Sequence, residues 1–166
     1  MKKILFIASL LFSILSYSQD LKTIKTSEYE ISFPENLKFD DSKTRSTEVI
    51  IYMEKENERD LFIENINLLI QNLKGYQIDL NQYVKITENQ VNENGKLIES
   101  KKMNLNGAET QVMTYEANLS NRNLKFYQYI VVKNEKAFVL TYSAEVEKFE
   151  LYLQETKKVF NSFSVK

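Results

Sequence analysis

Between Tyr29 and Phe33 apolar and polar side chains alternate (Tyr-Glu-Ile-Ser-Phe), and Pro34 closes the run, which predicts a short strand. A second strand is expected at Leu37–Phe39, closed off by Asp40-Asp41-Ser42, and a third at the β-rich stretch Thr47–Met53. The charged run Glu54–Asp60 reads as a loop before a longer strand, Leu61–Gln71. Along that strand Phe62, Ile66, Leu68 and Ile70 share one face, with Asn65 and Asn67 on the other. After Gly75 the period changes. Asp79 with Gln82 three positions on forms a capping box, and Leu80, Tyr83, Val84, Thr87 and Val91 recur at helical spacing, predicting a helix over Leu80–Glu93 stopped by Asn94-Gly95.

Four strands are expected next. Lys96–Leu105 meets Ala108–Leu119 through Asn106-Gly107, a strong two-residue hairpin signal. Leu124–Lys133 follows the polar stretch Ser120–Asn123, and Asn134-Glu135 turns the chain into Lys136–Ser143. A closing helix is predicted over Glu145–Asn161, with Val146, Phe149, Leu153, Thr156 and Phe160 on one stripe and Phe163 beyond it.

A two-residue loop at Asn134-Glu135 sets the register: Ile130 opposite Val139, Val131 opposite Phe138, Tyr129 opposite Leu140 and Tyr127 opposite Tyr142. One sheet face then carries Phe126, Ile130, Val132, Ala137 and Val139, and the other Tyr127, Tyr129, Val131, Phe138, Leu140 and Tyr142. Both faces are apolar, so each needs a cover, and the chain offers two amphipathic helices. The expected fold class is α+β: a single α/β/α sandwich, an antiparallel sheet flanked by helices on both faces.

The segments Tyr29-Glu-Ile-Ser-Phe-Pro34, Phe126-Tyr-Gln-Tyr-Ile-Val-Val132 and Val159-Phe-Asn-Ser-Phe163, with the helix between them, resemble the PsbP-like and DcrB-like families. Members often carry Gly-Trp after the Pro, where Asn36-Leu37 stands here. The resemblance spans almost the whole chain after its first 26 residues. It implies an exported, non-enzymatic domain that works by binding, on a scaffold whose members do unrelated jobs.

The first eighteen residues change the picture further. Lys2 and Lys3, the apolar stretch Ile4–Leu15 and the small-x-small trio Ser16-Tyr17-Ser18 read as a secretory signal peptide, with cleavage near Ser18. The expected organisation is therefore a signal peptide over 1–18, a flexible polar leader over 19–26 and one domain over 27–166. The apolar stretch falls short of the roughly 20 residues a membrane span needs, so the mature protein is expected to be soluble, periplasmic or secreted, with no membrane insertion.

Composition bounds the chemistry. Of 166 residues 43% are apolar, with 10 Phe and 10 Tyr, which suits a packed core rather than disorder. Taking away Lys2 and Lys3 leaves 20 of the 22 basic residues against 23 acidic ones, so the mature chain has no basic footprint for nucleic acid. There is no Cys, hence no disulfide and no lipid-attachment thiol, and no His. Neither a Ser-His-Asp triad nor a Cys-His pair can be built, and imidazole and thiolate metal ligands are both missing, so no enzyme activity and no cofactor is expected. Oxygen ligands for Ca²⁺ remain conceivable at Asp40-Asp41-Ser42 and at Glu54, Glu56, Glu58 and Asp60, where Lys55 and Arg59 argue for an ordinary solvated loop.

The aromatic set Tyr115, Phe126, Tyr127, Tyr129, Phe138 and Tyr142 reads mainly as core, with Tyr127, Tyr142 and Tyr115 as the candidate ligand or partner surface. The leading expectation is an accessory subunit of a cell-envelope complex acting through an envelope-protein partner. The alternative is a periplasmic carrier of a small hydrophobic or sugar-like ligand in an aromatic-lined cavity.

Overall fold

Residues 20–43, 47–55, 57–58 and 60–166 are described in a computed structural model of the chain. The expected signal peptide and its cleavage site lie outside the described residues, as do Glu56 and Arg59 of the charged run. Among the described residues ten strands and two helices follow one another as β1 (Leu21–Lys25), β2 (Tyr29–Pro34), β3 (Lys38–Asp40), β4 (Val49–Tyr52), β5 (Asn65–Asn72), α1 (Leu80–Asn94), β6 (Gly95–Leu105), β7 (Ala108–Leu119), β8 (Arg122–Lys133), β9 (Lys136–Glu145), α2 (Phe149–Ser162) and β10 (Ser164–Val165). The fold is mixed α+β. Seven strands form one antiparallel sheet in the order β3-β4-β5-β9-β8-β7-β6, and β1-β2-β10 form a second.

The register expected from Asn134-Glu135 is the one observed: Tyr127, Tyr129, Ile130 and Val131 pair with Tyr142, Leu140, Val139 and Phe138. Alternate positions of these strands enter two separate cores. One joins Leu80, Val84 and Val91 of α1 to Met113, Ile130, Ala137 and Val139. The other joins Phe149, Leu153, Val159 and Phe160 of α2 to Tyr129, Val131, Phe138, Leu140 and Tyr142, and adds Tyr29, Ile31 and Phe33 from the small sheet. The small sheet as part of that cover was not foreseen. Each fully buried Phe or Leu stabilises the fold by about 1.5–3 kcal/mol, so these two cores account for much of what holds the main sheet in place.

The larger differences from the expected boundaries each have a physical reason. Leu21–Lys25, expected as a flexible leader, is strand β1 and runs antiparallel to β2, pairing Leu21 with Pro34 and Lys25 with Glu30. β5 begins at Asn65 rather than Leu61, and Leu61 is 81% exposed. α2 begins at Phe149 rather than Glu145, because β9 continues to pair with β8 as far as Glu145 opposite Leu124, leaving Val146 exposed in the turn. Gly95 opens β6 in extended backbone rather than supplying a left-handed helix stop. A Cβ there would lie 2.2 Å from the Glu116 carbonyl oxygen, so close approach to β7 is what requires glycine. The capping box at α1 is formed as expected: the Gln82 N–H donates to Asp79 Oδ1 at 2.8 Å and the Asp79 N–H donates to Gln82 Oε1 at 2.9 Å. No helix among the described residues is long and apolar enough to cross a membrane.

Candidate functional site

The three candidate tyrosines do not form one surface. Tyr142 is fully buried, its hydroxyl donating to the Phe149 carbonyl at 3.2 Å and its ring packed 5.3 Å from that of Phe149. It is a core residue that anchors the start of α2, which removes it from the expected exposed pair. Tyr127 lies half-buried on the same sheet face, against Phe160, and its hydroxyl donates to that of Tyr129 at 3.2 Å. Burial pushes the Tyr127 and Tyr142 phenols well above the ordinary tyrosine range.

Tyr115 is on the opposite face. Its strand partner is Phe126, and the two rings stack 4.8 Å apart at 16°. Together they line an open groove of about 350 Å³ between the sheet and α1. From the helix side Tyr83, Thr87 and Val91, successive turns of one stripe, complete it with the exposed Gln90 at the rim. The Tyr83 hydroxyl donates to Gln71 Oε1 at 2.8 Å, tying the rim of the groove to the end of β5.

Gln128 completes the same wall and is the residue that sequence reading missed. It is 6% exposed and sits between Phe126 and Ile130 on an otherwise apolar stripe. Its Nε2 donates to Thr141 Oγ1 at 2.9 Å, while its Oε1 is buried without a hydrogen-bond partner. The signal was in the sequence: an amide at an inward position of Phe126–Val132, where a strand buried on both faces calls for another apolar residue. Burial raises the Tyr115 phenol to about 12, and the Gln128 amide acts against that rise. Among the described residues no charged side chain lines the groove, whose surface is apolar with neutral amides and hydroxyls.

Three of the acidic residues weighed as Ca²⁺ ligands go to separate tasks. Asp40 accepts the Ser42 N–H at 2.9 Å, Glu54 accepts the Asn36 side-chain amide at 3.0 Å, and Asp60 pairs with Lys148 at 2.9 Å. Among the described residues no three acidic side chains converge as a metal site. The Asp60–Lys148 pair is largely buried and fastens the turn before α2 to the loop before β5. Glu64, 1% exposed, lies in the same region and accepts the Glu145 N–H at 3.4 Å. Its carboxyl is held above the usual range by burial, against its backbone hydrogen bonds and the attraction of Lys148.

No protein-family model matches the sequence, and neither does any curated protein. Solved structures do match in fold. The cyanobacterial PsbP protein (CyanoP) from Synechocystis superposes with a TM-score of 0.62 at 15% identity, over 90% of this chain and 94% of its own. LpqN of Mycobacterium tuberculosis, involved in cell envelope biogenesis, gives 0.68 at 10% identity over 89% and 91%. A protein of unknown function from Pseudomonas aeruginosa, described as a putative regulator, gives 0.61 at 10% identity over 86% and 94%.

Proposed function

We propose that this chain, which has the PsbP-like fold, is a non-enzymatic binding protein exported to the cell envelope, and that its working site is the groove between α1 and β7–β8. In this reading the two helices flank the main sheet as an α/β/α sandwich, and the first eighteen residues direct export. The observation that carries it is the groove itself: an open hollow lined, among the described residues, by stacked aromatics and neutral polar groups. LpqN, involved in cell envelope biogenesis, supports the compartment by fold-level analogy.

The test is recovery of the mature protein from its own envelope fraction, extraction, and mass spectrometry of small molecules against Thr87→Trp, whose indole would fill the groove. A compound that accompanies the native protein and is lost from the variant supports the reading. A native protein carrying nothing, or a variant carrying the same compound, overturns it.

The accessory-subunit reading rests on a different observation. Leu61 and Leu151 are 81% and 66% exposed, on two segments that the Asp60–Lys148 pair joins. Replacing both by Ser should then release an envelope protein that co-purifies with the wild type and leave groove binding unchanged.

A further inference from the structure

We propose that the free edge of β6 pairs antiparallel with β6 of a second copy about a two-fold axis at Ser100, joining two main sheets edge to edge. β6 supplies no wall of the groove between α1 and β7–β8, so this inference stands apart from the working site read above.

The first observation is the edge itself. β6 ends the main sheet, and at 11 residues it is the longest open edge among the described residues. β3 at the other end has 3 residues, and β1 at the rim of the small sheet has 5. Lys96, Glu99, Lys101, Lys102 and Asn104 are exposed along β6. On the side away from β7, alternate residues direct backbone N–H and C=O groups at solvent, which is a template for a further strand. Neither helix blocks that approach. α1 lies over β6, β7 and β8, while α2 lies over β9 and β2. Pairing at β6 puts β7 and its copy three strand spacings apart, about 14 Å, which clears two helices of roughly 10–12 Å diameter.

The second observation is the order of charges. Lysines and a bulge are what proteins use to keep an edge from pairing, and β6 has both. Its register with β7 slips between Leu97 and Glu99, leaving Ile98 as the extra residue. These devices do not exclude all registers equally. Between two identical antiparallel strands, an axis at Glu99, Lys101 or Lys102 sets a charge against its own copy. An axis at Ser100 is the one register that opposes Glu99 to Lys101 of the second copy, and it does so twice. Within one chain Glu99 and Lys101 already meet at 2.7 Å, and Lys102 is paired across to Glu109 at 2.8 Å. Two copies therefore bring Glu99 and Lys101 into a ring of four alternating charges, and Lys102 falls opposite the Leu97–Ile98 bulge rather than another lysine. Opposed residues of paired strands point to one face, so both grooves open on the same side of the joined sheet.

The experiment is sedimentation equilibrium of the mature protein over a concentration series, which should show a monomer–dimer equilibrium. Glu99→Lys and Lys101→Glu should each weaken it at least tenfold, with thermal melting run beside them to verify folding. The double exchange, Glu99→Lys with Lys101→Glu, should restore it. The chain has no Cys, so a single introduced one reports position. Opposed Cα atoms of an antiparallel pair are about 4.5–5.5 Å apart, inside the roughly 4.4–6.8 Å that a disulfide spans. Ser100→Cys should therefore cross-link two copies under mild oxidation, and Asn104→Cys on the same strand should not. The inference is overturned by a chain that stays monomeric, by a dimer that both single reversals leave unchanged, by a double exchange that restores nothing, or by Asn104→Cys cross-linking as well as Ser100→Cys. A monomer whose β6 takes up a strand of another protein overturns it too. Each of these outcomes leaves the groove as the working site untouched.

Discussion

At the scale of single residues, stability depends on a few side chains whose partners lie far away in sequence. Phe149 is 2% exposed, with its ring against Tyr142 and the Lys125 ammonium 4.3 Å from its centroid. Phe149→Asp would delete the ring from this core and bury a carboxylate in its place, and should cost more than about 4 kcal/mol, enough to abolish the folded baseline in thermal melting. A cooperative melt near that of the wild type would mean that α2 does not pack on this core. Glu64 makes a subtler case. Its folded pKa is raised above the ordinary 4.5, so the native state holds the proton more tightly than the unfolded chain. Stability from this site is complete below pH 4.5 and is lost as pH rises from there through the raised folded value. Glu64→Gln should thus melt higher than the wild type at neutral pH, the difference shrinking to nothing below pH 4.5. A variant that melts lower at neutral pH would show that the ionised carboxylate gains more from Lys148 than it loses on burial.

Among the elements, the helix and hairpin ends give the sharpest expectations. Asp79 caps α1 with both bonds of the box in place, so Asp79→Ala should cost about 1 kcal/mol by chemical denaturation. The β8–β9 turn has a different weakness. Asn134 and Glu135 both take positive φ, 52° and 56°, and only the first is a residue that tolerates it well. Glu135→Gly should relieve the left-handed strain at that position and stabilise the protein by about 1 kcal/mol, since the acceptor used by the Leu73 N–H is the Glu135 backbone carbonyl and survives. A loss of stability would show that the Glu135 side chain contributes more than its backbone conformation costs. The Asn106-Gly107 turn already has the favoured pair, with φ of 50° and 85°, and offers no such gain.

For the molecule as a whole, the small sheet is the least obvious contributor. β1 is exposed along most of its length, yet it supplies the hydrogen-bond partner for one edge of β2, whose Tyr29, Ile31 and Phe33 enter the α2-side core. Beginning the protein at Ser27 should therefore lower the melting temperature while the far-UV circular dichroism below the transition stays close to that of the longer chain. An unchanged melting temperature would place β1 outside the cooperative unit. The two cores also divide labour. The α2 side is filled with interlocked aromatics, whereas the α1 side is left open between Tyr115 and Val91, and that opening is what makes a ligand site feasible.

What the sequence determined by itself was mostly local or periodic. The capping box, the two-residue hairpins at Asn106-Gly107 and Asn134-Glu135 and the β8–β9 register follow from backbone preferences and from a side-chain period of two, which act over a few residues. The same period, read across the strands, separated Tyr127, Tyr129 and Val131 from Phe126, Ile130 and Val132 and so assigned each to its face. Tertiary structure alone decided which of the tyrosines kept any contact with solvent. Tyr142 and Tyr127 face each other in the register, but the start of α2 seals the first through Phe149, while the second meets Phe160 near the other end of the helix and stays half-buried. It also decided that the polar stretch Leu21–Lys25 becomes a strand, since its pairing partner β2 supplies the hydrogen bonds that an isolated segment lacks. The groove was the hardest to foresee. It depends on how far α1 stands from Tyr115, Phe126 and Gln128, a distance set by packing between segments with no periodic trace in either.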